Sequence, residues 1–378
     1  MTGTTKSEIY KVGADNAATI LPDADIAGFY VHLSSIAADA AGNLYLADPD
    51  PTRGYENYPA NPKISSNTFL PAIFKLSAAT DPDYQTAETL LEDWTTSTVD
   101  TTSRDSSSNV ITENGAPKMR PRHEVQDYSG IVSIALAKAN SDVLLYAARS
   151  ENGNTPQVLI VPSPKVLHGA ISVMTPPGSG SSWARPVSVS VAANQAYGGS
   201  DSVFVADPDN SAIFWYNKDS GANSHVNYIS QVTGGSSSTF GGTWGSGTYT
   251  GQSLGNPVAV AVVPMMESMM PRMYIAFSTG GAAYFTRVGG TNTLLPLGEG
   301  GANSNGGCPF ASPNANNLIT SMVVDKNNNL FVAGTKTPSG AEAAVCKNSG
   351  AAPGSIFVDG ESLLSNSVEN PSIAVSCP

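Results

Sequence analysis

The clearest pattern in the chain is Ser35-Ile-Ala-Ala-Asp-Ala-Ala-Gly-Asn-Leu-Tyr-Leu-Ala-Asp-Pro-Asp50, in which apolar positions alternate with small or polar ones on both sides of a Gly-Asn pair. A period of two marks an extended strand with one face turned inward, and Gly-Asn between two such runs predicts a hairpin. The same pair of strands returns four times: Val132–Ala139 with Asp142–Ser150, Val187–Asn194 with Ser202–Asp209, Val258–Pro264 with Arg272–Ser278, and Ile319–Lys326 with Asn328–Thr335. A third apolar strand follows each pair, at Ala72–Ser77, Gln157–Pro162, Ala212–Asn217, Ala282–Val288 and Ala341–Lys347. A weaker fourth usually follows, as at Thr86–Trp94, Ile171–Thr175, Val226–Val232 and Asn292–Leu297. Helical periodicity is nearly absent.

Four antiparallel strands repeated about every 50–70 residues predict an all-β chain built of β-propeller blades. The ends of the chain complete the count. Glu8–Val12 and Ala17–Leu21 are strand-like with no inner pair before them, and Pro371–Ser376 reads as an inner strand with nothing after it. Joined, they predict a sixth blade shared by both termini, which would remove open sheet edges. The expectation is one domain, residues 1–378, folded as a six-bladed propeller.

Three segments carry a family resemblance: Ile36-Ala-Ala-Asp-Ala-Ala-Gly-Asn-Leu-Tyr-Leu-Ala-Asp48, Pro186-Val-Ser-Val-Ser-Val191 and Ser202-Val-Phe-Val-Ala-Asp-Pro-Asp-Asn210. They resemble NHL repeats, whose pattern runs Pro-x-x-Ile/Val-Ala-Val-Asp, then Gly-Asn-Leu-Tyr-Val-Ala-Asp, then Asn and a basic residue before Ile. The resemblance extends over most of the chain, is strong in two or three blades and implies a six-bladed propeller. The basic residue of the third strand is replaced in Asn210-Ser-Ala-Ile213.

Three insertions exceed what blade loops need, at residues 50–70, 95–127 and 233–255. The second ends in the basic run Lys118-Met-Arg-Pro-Arg-His123, and the third interleaves Gly, Ser and Thr with Phe240, Trp244 and Tyr249. Long ordered loops on a rigid scaffold are common binding surfaces.

Composition narrows the partners. Lys+Arg number 19 and Asp+Glu 31, giving a net charge of −12 with only 13% charged residues. An acidic chain of this kind is a poor match for a phosphate backbone. The longest apolar run, Val258 to Met266, is broken by Pro264 and is far short of the roughly 20 residues a membrane helix needs. No signal peptide is visible at the N-terminus. The Ser/Thr/Gly/Asn-rich, Lys-poor composition nevertheless points to an extracellular or cell-surface protein. The sole Asn-x-Ser/Thr spacing, Asn370-Pro371-Ser372, is disqualified by its proline. Three cysteines, Cys308, Cys346 and Cys377, allow one intrachain disulfide, with Cys308 and Cys346 as the candidate pair, or three thiols.

Candidate chemistry is sparse. Asp-Pro-Asp occurs at residues 48–50, 81–83 and 207–209. Such pairs can begin a calcium loop, but its Gly and Glu do not follow, and capping of a turn through side-chain hydrogen bonds is the simpler reading. Residues just before the inner strands would line a channel mouth: His32, Asp127, Arg185, Asn256, Asn317 and Asn370, with Glu369 adjacent. This ring is similar to the metal site of gluconolactonase-like propellers, which implies Asp127, Asn256, Asn317 and Glu369 as ligands for a cation such as calcium. Arg185 would repel such an ion; otherwise no cofactor is expected. Met265, Met266, Met269 and Met270 fall in a hairpin and offer thioethers to Cu(I) or an adaptable contact surface.

The leading expectation is a non-catalytic extracellular propeller that contacts other protein subunits, including copies of itself. One alternative is a metal-dependent lactonase or lyase with its site in the channel. The other is a glycan-binding propeller with Trp183, Trp244 and Tyr249 as stacking platforms.

Overall fold

A computed structural model describes residues 9–12, 18–21, 33–49, 69–78, 87–102, 112–113, 116–117, 119–126, 130–139, 142–150, 155–163, 171–174, 182–194, 200–217, 225–229, 243–244, 255–266, 273–278, 282–288, 291–296, 317–327, 329–336, 342–348 and 374. The described residues contain strands and turns and no helix, and no helix is long and apolar enough to cross a membrane.

An N-terminal hairpin, β1 (Tyr10–Val12) and β2 (Ala18–Ile20), precedes a first large sheet. That sheet holds β3 (Ser35–Ala38), β4 (Leu44–Ala47), β5 (Phe69–Leu76) and β6 (Ala87–Thr102). A small hairpin, β7 (Thr112–Glu113) and β8 (Ala116–Pro117), leads to β9 (Met119–Gln126), which pairs outside β6. Sheet two is β10 (Ile131–Leu136), β11 (Val143–Arg149), β12 (Gln157–Pro162) and β13 (Ser172–Val173). Sheet three is β14 (Ser188–Asn194), β15 (Ser200–Asp207), β16 (Ala212–Asn217) and β17 (His225–Ile229). β18 (Thr243–Trp244), β19 (Pro257–Val262), β20 (Met265–Met266), β21 (Met273–Phe277), β22 (Ala282–Val288) and β23 (Thr291–Pro296) follow. All of these except β20 form sheet four, and β20 joins sheet three beside β14. Sheet five is β24 (Asn317–Val324), β25 (Leu330–Lys336) and β26 (Glu342–Asn348). Each of these five sheets contains a three-stranded antiparallel meander, β3–β4–β5, β10–β11–β12, β14–β15–β16, β19–β21–β22 and β24–β25–β26, whose members are its first, second and third strands.

The alternation in the sequence becomes a sorting of side chains between successive sheets. On β11, Leu145 and Ala147 pack toward sheet one with Tyr45, Ala72 and Ile131, while Tyr146 and Ala148 pack toward sheet three with Val203, Val205 and Phe214. Each second strand is therefore buried on both faces, and β11, β15 and β21 read as nearly continuous apolar runs. Likewise Leu46 and Phe74 turn away from sheet two and meet Ile9 and Leu21, which flank the N-terminal hairpin.

The first strands β3, β10, β14, β19 and β24 lie side by side in that order. Serine hydroxyls bridge them. The Ser35 Oγ accepts from the Ile134 amide at 3.0 Å, Ser133 from Val189 at 3.1 Å, Ser188 from Val260 at 3.2 Å and Ser190 from Val262 at 3.1 Å. The last two contacts keep a constant offset, and so do the parallel backbone pairs Ala193 with Met265 and Asn194 with Met266. β14 and the β19–β20 segment thus run alongside one another in a single register. Between β19 and β24, where β19 has no serine, Ala259 and Ala261 pack instead against Ile319 and Met322.

Three stretches outside the blade pattern hold paired strand. Residues 95–127 are in part regular strand: β6 continues to Thr102, and β9 adds a fifth strand to sheet one. Met265 and Met266, in the connection between β19 and β21 as expected, also form a short strand parallel to β14 of the neighbouring sheet. Trp244 lies in a short parallel pairing with Leu294 of β23, within what reads as a loop tract.

Candidate functional site

β3, β10, β14 and β19 run in the same direction, so the residues entering them share one end of the sheets with the turns that leave the second strands. Arg185 and Asn256 both stand at this end, and Asn317 opens β24. Its best-defined part is the Asp207–Ser211 turn between β15 and β16. Asp207, fully buried, accepts four hydrogen bonds: from the Arg185 and Asn210 amides on Oδ1 at 2.9 and 3.2 Å, and from the Ala184 amide and the Asn210 Nδ2 on Oδ2 at 2.9 and 3.0 Å. The Asn210 Nδ2 also donates to the Ser182 carbonyl at 3.0 Å, so the turn is bound to the loop entering β14 from two sides.

Around this corner, Arg185 Nε donates to Asp209 Oδ1 at 3.0 Å, with both side chains about half exposed. An exposed pair of this kind contributes little to stability. Ser211 has φ of 51°, a left-handed conformation unusual for a residue with a β carbon, and its Oγ donates to Asn256 Oδ1 at 2.9 Å. The Asn256 amide in turn donates to Ser278 Oγ at 2.9 Å. The arrangement ties sheet three to sheet four, and of its ionic side chains only Arg185 and Asp209 are open to solvent.

The opposite end carries the hairpins that join first and second strands. Asp39 accepts from the Ala41 and Asn43 amides on Oδ1 and from Asn43 Nδ2 and the Tyr45 hydroxyl on Oδ2. Gly42, at φ of 84°, takes the left-handed position that closes this turn. Asp325 repeats the arrangement with the Asn327 and Asn329 amides and Asn329 Nδ2. In sheet two the corresponding turn begins at Ala137, so the position held by Asp39 and Asp325 carries no carboxylate. Asp201 of sheet three supplies one, accepting from the Lys138 and Ala139 amides at 2.9 and 2.7 Å and from the Tyr146 hydroxyl at 3.2 Å. Sequence reasoning missed Asp201 because its partners lie about sixty residues away; the available signal was the empty aspartate position at Ala137.

Of the Asp-Pro-Asp triplets, the one at 207–209 follows the turn-capping reading. Asp207 caps as above, Asp48 is buried, and residues 50 and 81–83 lie outside the described residues. Of the implied metal ligands, Asp127 and Glu369 also lie outside them, as do Phe240, Tyr249, Met269, Met270 and Cys308, while Cys346 is on β26. Among the described residues no three His, Cys, Asp or Glu side chains come together as a metal-binding group. Trp183 is not a surface platform. It is 6% exposed, its indole N–H donates to the Met174 carbonyl at 2.9 Å, and its ring meets Phe214 edge-on with centroids 5.2 Å apart. A sugar ring has no free face there.

Beside it, Tyr216 is 2% exposed and its hydroxyl has no hydrogen-bond partner among the described residues. Burial pushes this phenol above its ordinary value near 10, and burial together with Asp39 does the same for Tyr45. The folded chain thus holds protons that the unfolded chain releases above about pH 10, so this contribution to stability is complete below that pH and declines above it. Tyr216→Phe is expected to stabilise the fold by about 1 kcal/mol at pH 7 and by more at pH 11, read from urea unfolding at both values. An equal effect at the two pH values would refute the buried-phenol account.

No family model matches the chain, and no curated protein matches it. Solved structures do resemble it. A protein provisionally described as a 6-phosphogluconolactonase from Bacteroides uniformis aligns over 94% of this chain and 78% of its own, at 10% identity and a TM-score of 0.43. A provisionally described phosphatase from Bacteroides thetaiotaomicron aligns over 87% of this chain and 64% of its own, at 12% identity and a TM-score of 0.45. An auxiliary nutrient binding protein from the same species aligns over 71% and 63%, at 12% identity and a TM-score of 0.29.

Proposed function

We propose that this protein is a six-bladed β-propeller closed by both chain ends, and that it acts as a non-catalytic extracellular subunit whose partners are proteins, copies of itself included. Support for the ring comes from the order of the sheets. Five follow one another with their first strands side by side, and Ile9 and Leu21 cover the face of sheet one that points away from sheet two. That face is where a sixth blade belongs, with Pro371–Ser376 as its inner strand.

The observation that carries the functional reading is how the polar groups at the loop end are used. The Asp207 carboxylate accepts four donors, the Asn256 amide oxygen accepts from Ser211, and Arg185 is paired with Asp209. These contacts fix loops in place, as a preorganised contact surface requires. The sparse charge and the lack of glycan acceptor sites suit a surface that packs against other proteins.

Two measurements on the full chain test the reading. Light scattering at rising concentration is expected to show mass above the monomer, and elemental analysis of purified protein to show less than one divalent ion per chain. A stoichiometric ion lost in the Asp127→Ala, Glu369→Ala double variant, with a strictly monomeric mass, would replace the subunit reading by the channel-metal one.

A further inference from the structure

The serine bridges between first strands keep one register, and one strand departs from it. Ser35, Ser133 and Ser188 hold equivalent positions, each directly opposite an alanine of its own second strand: Ala47, Ala148 and Ala206. Each hydroxyl accepts from the first strand of the next sheet, at the amide of the residue just after that strand's own equivalent position: Ile134, Val189 and Val260. In sheet five the position opposite Ala333 is again a serine, Ser321. In sheet four the position opposite Ala276 is Ala259.

The amide that this register assigns to position 259 is that of Met322, which follows Ser321 and lies opposite Val332 as Val260 lies opposite Ile275. Ala259 has no hydroxyl to offer it. Apolar packing holds β19 to β24 at this level, with the buried Ala259 and Ala261 against Ile319 and Met322. The two kinds of contact fix different things. A hydrogen bond weakens steeply once its partners lose alignment, so each serine pins one strand to the next at a set offset. Apolar contact is non-directional and sets no such offset. The three seams from sheet one to sheet four are pinned in this way, the third of them twice, because Ser190 also accepts from Val262.

We propose that the seam between sheets four and five is the joint at which this fold opens, because β19 lacks the serine that pins the other described first strands to their neighbours. Opening there bares the strip formed by Ala259, Ala261, Ile319 and Met322, while β19 and β24 keep their antiparallel pairing with β21 and β25. The inference needs only the order of the described first strands, and it stands apart from the closing of the ring and from the subunit reading.

The test is amide-resolved hydrogen exchange of the full chain, comparing wild type with Ala259→Ser, which adds the missing hydroxyl, and with Ser188→Ala, which removes an existing one. Thermal melts check that both variants fold. In wild type the Met322 amide is expected to exchange about tenfold faster, relative to its intrinsic rate, than those of Ile134, Val189 and Val260. Ala259→Ser is expected to slow Met322 by about tenfold and leave Ile134 and Val189 unchanged, and Ser188→Ala to speed Val260 by a similar factor. Wild-type protection of Met322 equal to that of the other three amides would overturn the joint. So would a folded Ala259→Ser chain in which Met322 exchanges as before, or a Ser188→Ala chain in which Val260 does. If Ala259→Ser fails to fold, the wild-type comparison and Ser188→Ala still decide between the outcomes.

Discussion

Asp207→Ala is expected to lower the stability of the fold by about 4 kcal/mol, the largest effect of any single polar substitution among the turns. The carboxylate is fully buried and accepts four hydrogen bonds from three residues, two of which belong to the loop entering β14. Removal leaves those donors facing a small void, and each one unmatched costs about 1–3 kcal/mol before water relaxes into the gap. Asp207→Asn is expected to fare little better, because its N–H₂ would confront either the Arg185 and Asn210 amides or the Ala184 amide and the Asn210 Nδ2. Asp209→Ala, two residues along the same turn, removes only the half-exposed pair with Arg185 and is expected to cost under about 1 kcal/mol. Urea unfolding of the three variants decides the point, and comparable midpoints for Asp207→Ala and Asp209→Ala would defeat it.

The second large effect is at Asp201, and it differs in kind because the bonds it makes cross between sheets. Asp201→Ala is expected to cost about 3 kcal/mol, since it uncaps the Lys138–Ala139 turn and leaves the buried Tyr146 hydroxyl without this acceptor. Asp39→Ala removes a local cap in a more exposed turn and is expected to cost about 1 kcal/mol. A double-mutant cycle of Asp201→Ala with Tyr146→Phe should return a coupling of about 1 kcal/mol. Zero coupling, or equal losses at Asp39 and Asp201, would contradict the cross-sheet role.

Legibility of the chain follows the range of its interactions. Strand pairs and hairpin turns are local, so alternation and the Asp39-to-Asn43 and Asp325-to-Asn329 spacings expose them directly. The contacts between sheets are long-range and leave weak traces: a serine in each of β3, β10 and β14, or a missing aspartate at Ala137. β9 reads as loop because Pro121 and its basic neighbours disfavour a central strand, yet an edge strand tolerates both. Trp183 sits in a Ser- and Gly-rich stretch with no periodicity, so nothing local distinguishes an exposed aromatic from one folded back over Phe214 and Tyr216. The candidate ring was the least legible part. Its members come from separate loops, and of those described Arg185 and Asn256 have neighbours, Asp209 and Ser211, that only the folded chain supplies.

The borrowed cap at Asp201 also sets an order in time. Its partners precede it by 62 and 63 residues, so a chain leaving the ribosome N-terminus first completes the β10–β11 hairpin before its carboxylate has been made. β11 ends at Arg149, so at about 5–20 residues per second Asp201 follows the finished hairpin by roughly 3–10 s. During this interval the nascent hairpin must be held by its apolar strands alone, and translation of β15 is the event that finishes it.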